Sequence, residues 1–157
     1  MGSSVNGQSL ESGDKVMNKI IICDLDGTLS NCQHRMHFLK RKDWDSFNGK
    51  CKEDRCNENV ANIIRNLKNR FTEIYIVTGR SDKYKEETEE WLFLNDISYN
   101  KLFMRNAEDK RSDKDVKEEI LEKHIDKSSV WFVLDDRDAV VEMWRENGLC
   151  CLQAQEG

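Results

Sequence analysis

The stretch Ile20-Ile21-Ile22-Cys23-Asp24-Leu25-Asp26-Gly27-Thr28-Leu29-Ser30 constrains the fold more than any other part of the sequence. Its apolar, mostly β-branched start predicts a buried strand. That strand ends in two carboxylates one residue apart, followed by Gly and Thr. In an open α/β sheet, ligands bind outside the carboxyl ends of the strands. Asp24 and Asp26 are therefore placed to share one metal ion and one phosphate. An Asp-Gly turn alone is common. D-x-D-G-T directly after an apolar strand is far more specific.

Further strands and helices alternate along the chain. Asn31 to Asn57 has only weak periodicity, and Met36, Phe38, Leu39, Trp44 and Phe47 suggest two short helices. An insertion of this length exceeds what a connection needs, and such loops carry function. Glu58 to Arg70 predicts an amphipathic helix, and Glu73 to Thr78 a strand closed by Gly79-Arg80. A helix capped by Ser81-Asp82 follows, then a short strand from Lys101 to Met104. Ser112 or Asp113 caps the next helix. Val130 to Leu134 is an apolar strand that again ends in paired acids, Asp135-Asp136. Asp138 to Asn147 is a helix stopped by Gly148, and Leu149 to Leu152 a last strand. The expected fold is α/β: a Rossmann-like, doubly wound, five-stranded parallel sheet with a small helical cap inserted after strand 1, about residues 31–57. Right-handed crossovers bring Asp24/Asp26, Thr78-Gly79-Arg80 and Asp135/Asp136 to one rim.

Composition narrows the class. With 35% charged and 38% hydrophobic residues, 157 residues suit one soluble domain. No apolar run approaches the ~20 residues of a membrane span. Residues 1–17 read as a flexible tail or cloning remnant without a secretory core, and Met17 is a candidate natural start. The six cysteines lack a signal peptide, so reduced thiols in the cytoplasm are expected. Cys32, His34, His37, Cys51 and Cys56 match no standard zinc spacing. A net charge of −5 argues against a broad nucleic-acid surface. Arg35 to Arg55 nevertheless carries a net charge of +3, which suits either a mixed solvated surface or a basic flap over a phosphate. No P-loop pattern is present. Trp131 and Trp144 are assigned to packing on the sheet.

Phosphate hydrolysis through an aspartyl phosphate needs a nucleophile, a second acid, cationic stabilisation and a metal site. Asp24 is positioned as nucleophile. Asp26 points to the same side and serves as general acid/base, with its carbonyl toward the metal. Thr78 and Gly79 offer a hydroxyl and N–H groups to phosphate. Lys117, paired i,i+4 with Asp113, is either a surface ion pair or a phosphate-directed lysine oriented by Asp113. Asp135 and Asp136 complete a Mg²⁺ site of oxygen donors.

D-L-D-G-T, T-G-R, the late lysine and D-D are similar, in order, to the four motifs of haloacid-dehalogenase-like (HAD) phosphohydrolases. Asp113-Lys114-Asp115-Val116-Lys117-Glu118-Glu119-Ile120 and Asp135-Asp136-Arg137, followed by Val140-Val141-Glu142-Met143-Trp144-Arg145, resemble more closely the 3′-phosphatase domain of bacteriophage polynucleotide kinase/phosphatase. Residues 18–157 then form one phosphatase domain, resembling stand-alone phage proteins without the kinase half. The resemblance implies Arg35 and Arg80 as substrate or phosphate ligands, with Asp113, Asp135 and Asp136 around lysine and metal. Thr78 stands where that family has Ser. The implied activity is Mg²⁺-dependent removal of 3′-phosphate from polynucleotide ends or nucleoside 3′-monophosphates. The alternatives are a 5′(3′)-nucleotidase and a non-catalytic binding protein. Oligomeric state, monomer or homodimer, stays open. Arg35→Ala is expected to weaken substrate handling without unfolding the domain.

Overall fold

The computed structural model describes residues 17–157. The expected tail lies outside the described residues except for Met17. Five strands form the expected parallel sheet in the order β5-β4-β1-β6-β7. They are β1 (Lys19–Cys23), β4 (Thr72–Ser81), β5 (Lys101–Arg105), β6 (Val130–Asp135) and β7 (Cys151–Gln153). β1 is central because its side chains are apolar on both faces. Ile20 and Ile22 join Tyr75, Val77, Val133, Val140, Val141 and Trp144 in one core layer. Ile21 and Cys23 join Val60, Ile64, Ile74, Ile76, Trp91 and Leu134 in the other. The two-residue strand period thus feeds two helical layers: α5 (Asp113–His124) and α6 (Asp138–Glu146) on one side, and α3 (Glu58–Leu67) and α4 (Lys85–Leu94) on the other. Each fully buried Ile contributes about 1.5–3 kcal/mol.

β4 and β6 flank β1 on opposite sides, so the chain reverses its winding direction at β1. This opens a crevice at the strands' carboxyl ends. The Asp24 N–H donates to the Leu134 carbonyl at 3.0 Å and carries the parallel pairing one residue into that crevice. The β4–β5 register shifts between Thr78 and Ser81, where β4 reaches the same rim. A bulge at such a point re-aims side chains.

The insertion after β1 contains the two expected short helices, α1 (Met36–Leu39) and α2 (Trp44–Gly49). It also contains an element the sequence did not announce. β2 (Ser30–Asn31) pairs antiparallel with β3 (Arg55–Cys56) and pinches the cap at its base. Two residues per strand leave no alternation to read. Other boundaries shift for local reasons. α3 stops at Leu67 rather than Arg70, because Asn69 takes over nearby backbone groups: its amide donates to the Leu67 carbonyl and its Oδ1 accepts from the Phe71 N–H. The last strand begins at Cys151 rather than Leu149, since the Leu149 N–H still closes the end of α6 on the Trp144 carbonyl. Cys150, expected in that strand, is exposed outside it.

Candidate active site

The strand-end acids meet as the topology requires. Asp24, Asp135 and Asp136 each offer a carboxylate oxygen within 4.8 Å of the others. Two glycines make room for this gathering. Gly27 adopts φ +86°, and a Cβ there would overlap the Asp136 carboxylate; a Cβ at Gly79 would overlap Asp113. Thr28 Oγ1 donates to Asp136 Oδ1 at 3.1 Å and steadies it.

Lys117 is fully buried in this cluster. Its Nζ lies 2.9 Å from Asp24 Oδ1 and 2.9 Å from Asp135 Oδ2, but 3.6 Å from Asp113. Lys117 is therefore oriented mainly by Asp135, and the i,i+4 partner Asp113 is secondary. Burial alone would lower its pKa. Asp135, Asp24 and Asp113 override this and hold it well above the usual lysine value, so it is a permanent cation. Asp135 is fully engaged by protein donors. Its Oδ2 also accepts from the Trp144 indole N–H at 3.1 Å, and its Oδ1 from the Asp136 N–H at 2.9 Å. Trp144 packs in the core as expected and orients Asp135 as well. Trp131 is 43% exposed and lies under the Lys19 ammonium, 4.5 Å from its ring centroid.

Burial pushes the Asp24 carboxyl well above its ordinary pKa; Lys117 opposes the rise, and Asp135, Asp113 and Asp136 add to it. Asp136 is raised by burial and by Asp135. Asp24, Asp135 and Asp136 outnumber the one lysine beside them, while Asp113 is shared with Arg105 and Arg137 at 3.7 and 3.6 Å. Oxygen donors in this number and spacing fit a hard divalent cation.

Asp26 sits in the opposite electrostatic setting. Arg80 Nη2 donates to its Oδ1 at 2.5 Å, and Arg35 Nη2 donates to the same oxygen. Burial would raise the carboxyl, but the charges and hydrogen bonds of Arg80 and Arg35 hold it well below the usual carboxylate range. Arg35 comes from the cap and Arg80 from β4, so the acid joins the two bodies. Arg35, expected from the resemblance to be a substrate or phosphate ligand, is wholly buried, and its guanidinium is engaged by protein groups. Its Nε and Nη2 grip Asp54 at 2.7 and 2.6 Å, and its Nη1 donates to the Phe47 carbonyl at 3.0 Å. Arg80 also donates to Thr88 Oγ1 at 3.0 Å. Buried Thr78 accepts the Arg80 N–H on its hydroxyl at 3.1 Å, leaving its own proton to donate.

Sequence reasoning missed Asp54. It is buried, accepts the Arg35 fork and a ring nitrogen contact from His34 at 2.7 Å, and its carbonyl accepts from Trp91 Nε1. Nothing in the spacing of Asp43, Asp45, Glu53 and Asp54 distinguishes it from the three surface acids.

A doubly wound sheet with clustered acids and a buried lysine at its switch point is the architecture of HAD-like phosphatases. The fold is similar to a haloacid dehalogenase-like hydrolase from Streptococcus pneumoniae, at 14% identity and a TM-score of 0.63 over 88% of this chain and 87% of that one. It is likewise similar to a predicted phosphatase from Clostridium acetobutylicum, at 14% identity and a TM-score of 0.65 over 87% and 84%. The family is narrower than that class: the profile of the polynucleotide kinase PNKP phosphatase domain matches residues 18–157, and the chain belongs to that family. It is a phosphatase. A chain in the Pnkp1/Rnl/Hen1 complex is 35% identical, with a TM-score of 0.78 over 92% of this chain and 48% of that one. A second, from the Pnkp1/Rnl/Hen1 RNA repair complex, is 35% identical, with a TM-score of 0.79 over 92% and 44%. The present chain thus spans about half the length of those relatives. No helix among the described residues is long and apolar enough to cross a membrane.

Proposed function

We propose that this phosphatase is a Mg²⁺-dependent phosphomonoesterase that removes 3′-phosphate from polynucleotide ends or nucleoside 3′-monophosphates. The observation that best supports the reading is the gathering of Asp24, Asp135 and Asp136 beside the buried Lys117, with Asp26 two residues from Asp24 at the same strand end. Asp24 lies beside a fixed lysine in an acid cluster; Asp26 is clamped by two arginines. Burial raises Asp24 and the two arginines lower Asp26, so the positive charge of Lys117 and of a bound cation must keep Asp24 ionised for attack. The family, and the relative found in an RNA repair complex, support a nucleic-acid substrate.

Asp24 attacks phosphorus, and the bond to the 3′ oxygen breaks as the aspartyl phosphate forms. The departing oxygen takes a proton from Asp26. Water then attacks phosphorus, Asp26 accepts its proton, and the Asp24–phosphate bond breaks to release phosphate. Asp26 is an anion in the resting site, so it must gain the proton it donates. An incoming phosphate dianion raises the pKa of a nearby carboxyl by like charge and supplies that drive. Lys117, the Thr78 hydroxyl and the Gly79 N–H are the donors for phosphoryl oxygens. Arg35 and Arg80 govern Asp26, and Asp113 braces the Lys117 side of the site. Asp24, Asp136 and the Asp26 carbonyl would hold Mg²⁺, with Asp135 behind them. When bound, the ion supplies the positive charge that lets a carboxylate approach a phosphate.

Incubation with a 3′-phosphorylated oligonucleotide and Mg²⁺ should release inorganic phosphate, and Asp24→Asn should abolish it. Turnover of a nucleoside 5′-monophosphate in its place would assign a nucleotidase. An active Asp24→Asn variant would overturn the mechanism.

A further inference from the structure

The cap carries an aromatic and basic surface that the reaction above does not use. Trp44 opens α2 with 56% of its surface exposed. Its ring stands edge-on to Phe47, with centroids 6.2 Å apart. Phe47 is buried, and the Arg35 guanidinium lies 4.1 Å from its ring centroid. Arg35 in turn reaches Asp26. Trp44 is thus the solvent-facing end of a row of contacts that ends at the acid/base.

Lys40, Arg41 and Lys42 precede it, all exposed. Among the described residues their side chains make no ion pair, whereas the neighbouring Lys50, Lys52 and Lys83 pair with Glu53, Glu90 and Asp45. The chain of net charge −5 therefore leaves three adjacent unpaired cations at this one place. The start of α2 is anchored by hydrogen bonds on both sides of Trp44. Asp43 caps α2 by accepting the Ser46 N–H at 3.0 Å, and Asp45 accepts from the Tyr84 hydroxyl at 3.0 Å. An exposed indole beside uncompensated cations is the composition of surfaces that bind single-stranded nucleic acid.

We propose that Trp44 is a stacking platform for a nucleobase near the 3′ end of the substrate strand, with Lys40, Arg41 and Lys42 supplying charge for its backbone phosphates. This rests on the reading of the site as a polynucleotide 3′-phosphatase. Stacking is indifferent to base identity, so the platform would position ends of any sequence.

The test measures binding of a fluorescent, 3′-phosphorylated single strand to the Asp24→Asn protein in Mg²⁺. Adding Trp44→Ala should weaken binding about tenfold, and Trp44→Phe should stay within roughly threefold, as expected for stacking. A strand with abasic residues at its last two positions should bind the Trp44 and Trp44→Ala proteins equally. Equal affinity of both proteins for the base-bearing strand overturns the platform, as does the same loss on the abasic-ended strand. Phosphate release by the wild-type protein from the base-bearing strand is measured alongside. No release, with Trp44-dependent binding intact, overturns the 3′-phosphatase reading and leaves the platform standing.

Discussion

Asp26 is held as a carboxylate by two arginines, yet its proposed task begins with giving up a proton. The requirement depends on the leaving group. A sugar 3′ oxygen needs that proton, whereas p-nitrophenolate leaves without one. Asp26→Asn should therefore release about one equivalent of p-nitrophenolate per enzyme in a burst and then stall, because water attack lacks its base. Rapid-mix absorbance reads this directly; steady turnover by the variant would remove Asp26 from the second step. Gly79 makes a separate point at this scale. Its missing Cβ admits the Asp113 carboxylate, which lies 3.6 Å from Lys117 and 3.6 Å from Arg137. Gly79→Ala must displace Asp113, and kcat should fall at least about tenfold, on the order of the effect of misplacing a catalytic group. A variant with unchanged kcat would show that Asp113 has no part in positioning.

The cap insertion is tied to the sheet through charge as well as through the β2–β3 neck. Arg35, Asp54, Arg80 and Asp26 form a charge-balanced quartet with side chains 0–19% exposed. Removing one acid leaves a buried cation uncompensated, at about 3–5 kcal/mol. Asp54→Asn should lower Tm by on the order of 10 °C in a domain of this size, measured by calorimetry, and lower activity through Arg35. The quartet also sets an acid limit. Asp26 has a pKa below its ordinary value, so its stabilising contribution is complete above that ordinary value and is lost as pH falls through the depressed one. Tm of the wild-type protein should drop as pH is lowered below about 4, where unfolded Asp begins to bind protons. Asp26→Asn should flatten that part of the curve, and an unchanged profile would assign the acid sensitivity to other groups.

Across the whole molecule, the strand ends concentrate acids that oppose folding until they are neutralised. Burial raises the Asp24 and Asp136 carboxyl groups, so a proton competes with metal for the same oxygens. Millimolar Mg²⁺ should raise Tm at neutral pH by binding the folded state, and the gain should shrink as pH falls and the acids protonate. Titration calorimetry at two pH values checks the sign; affinity that strengthens toward acid would place the ion elsewhere. The relatives of about twice this length carry the same body.

The sheet, its winding and the strand-end acids were legible in the sequence because each is a local property. A β-branched run such as Ile20-Ile21-Ile22 prefers the extended state, and an acid directly after it must emerge at the strand's carboxyl end. The two cap helices were legible from scattered apolar residues, but their two-residue neck was not, since a ladder so short has no period. Partner choice was decided only in three dimensions. Lys117 could be paired on paper with Asp113, four residues away, yet it binds Asp135, eighteen positions on, more closely. Asp54 was one acid among several until folding buried it against Arg35. Ion-pair strength depends on separation and on the exclusion of water, and both are set by how distant segments pack.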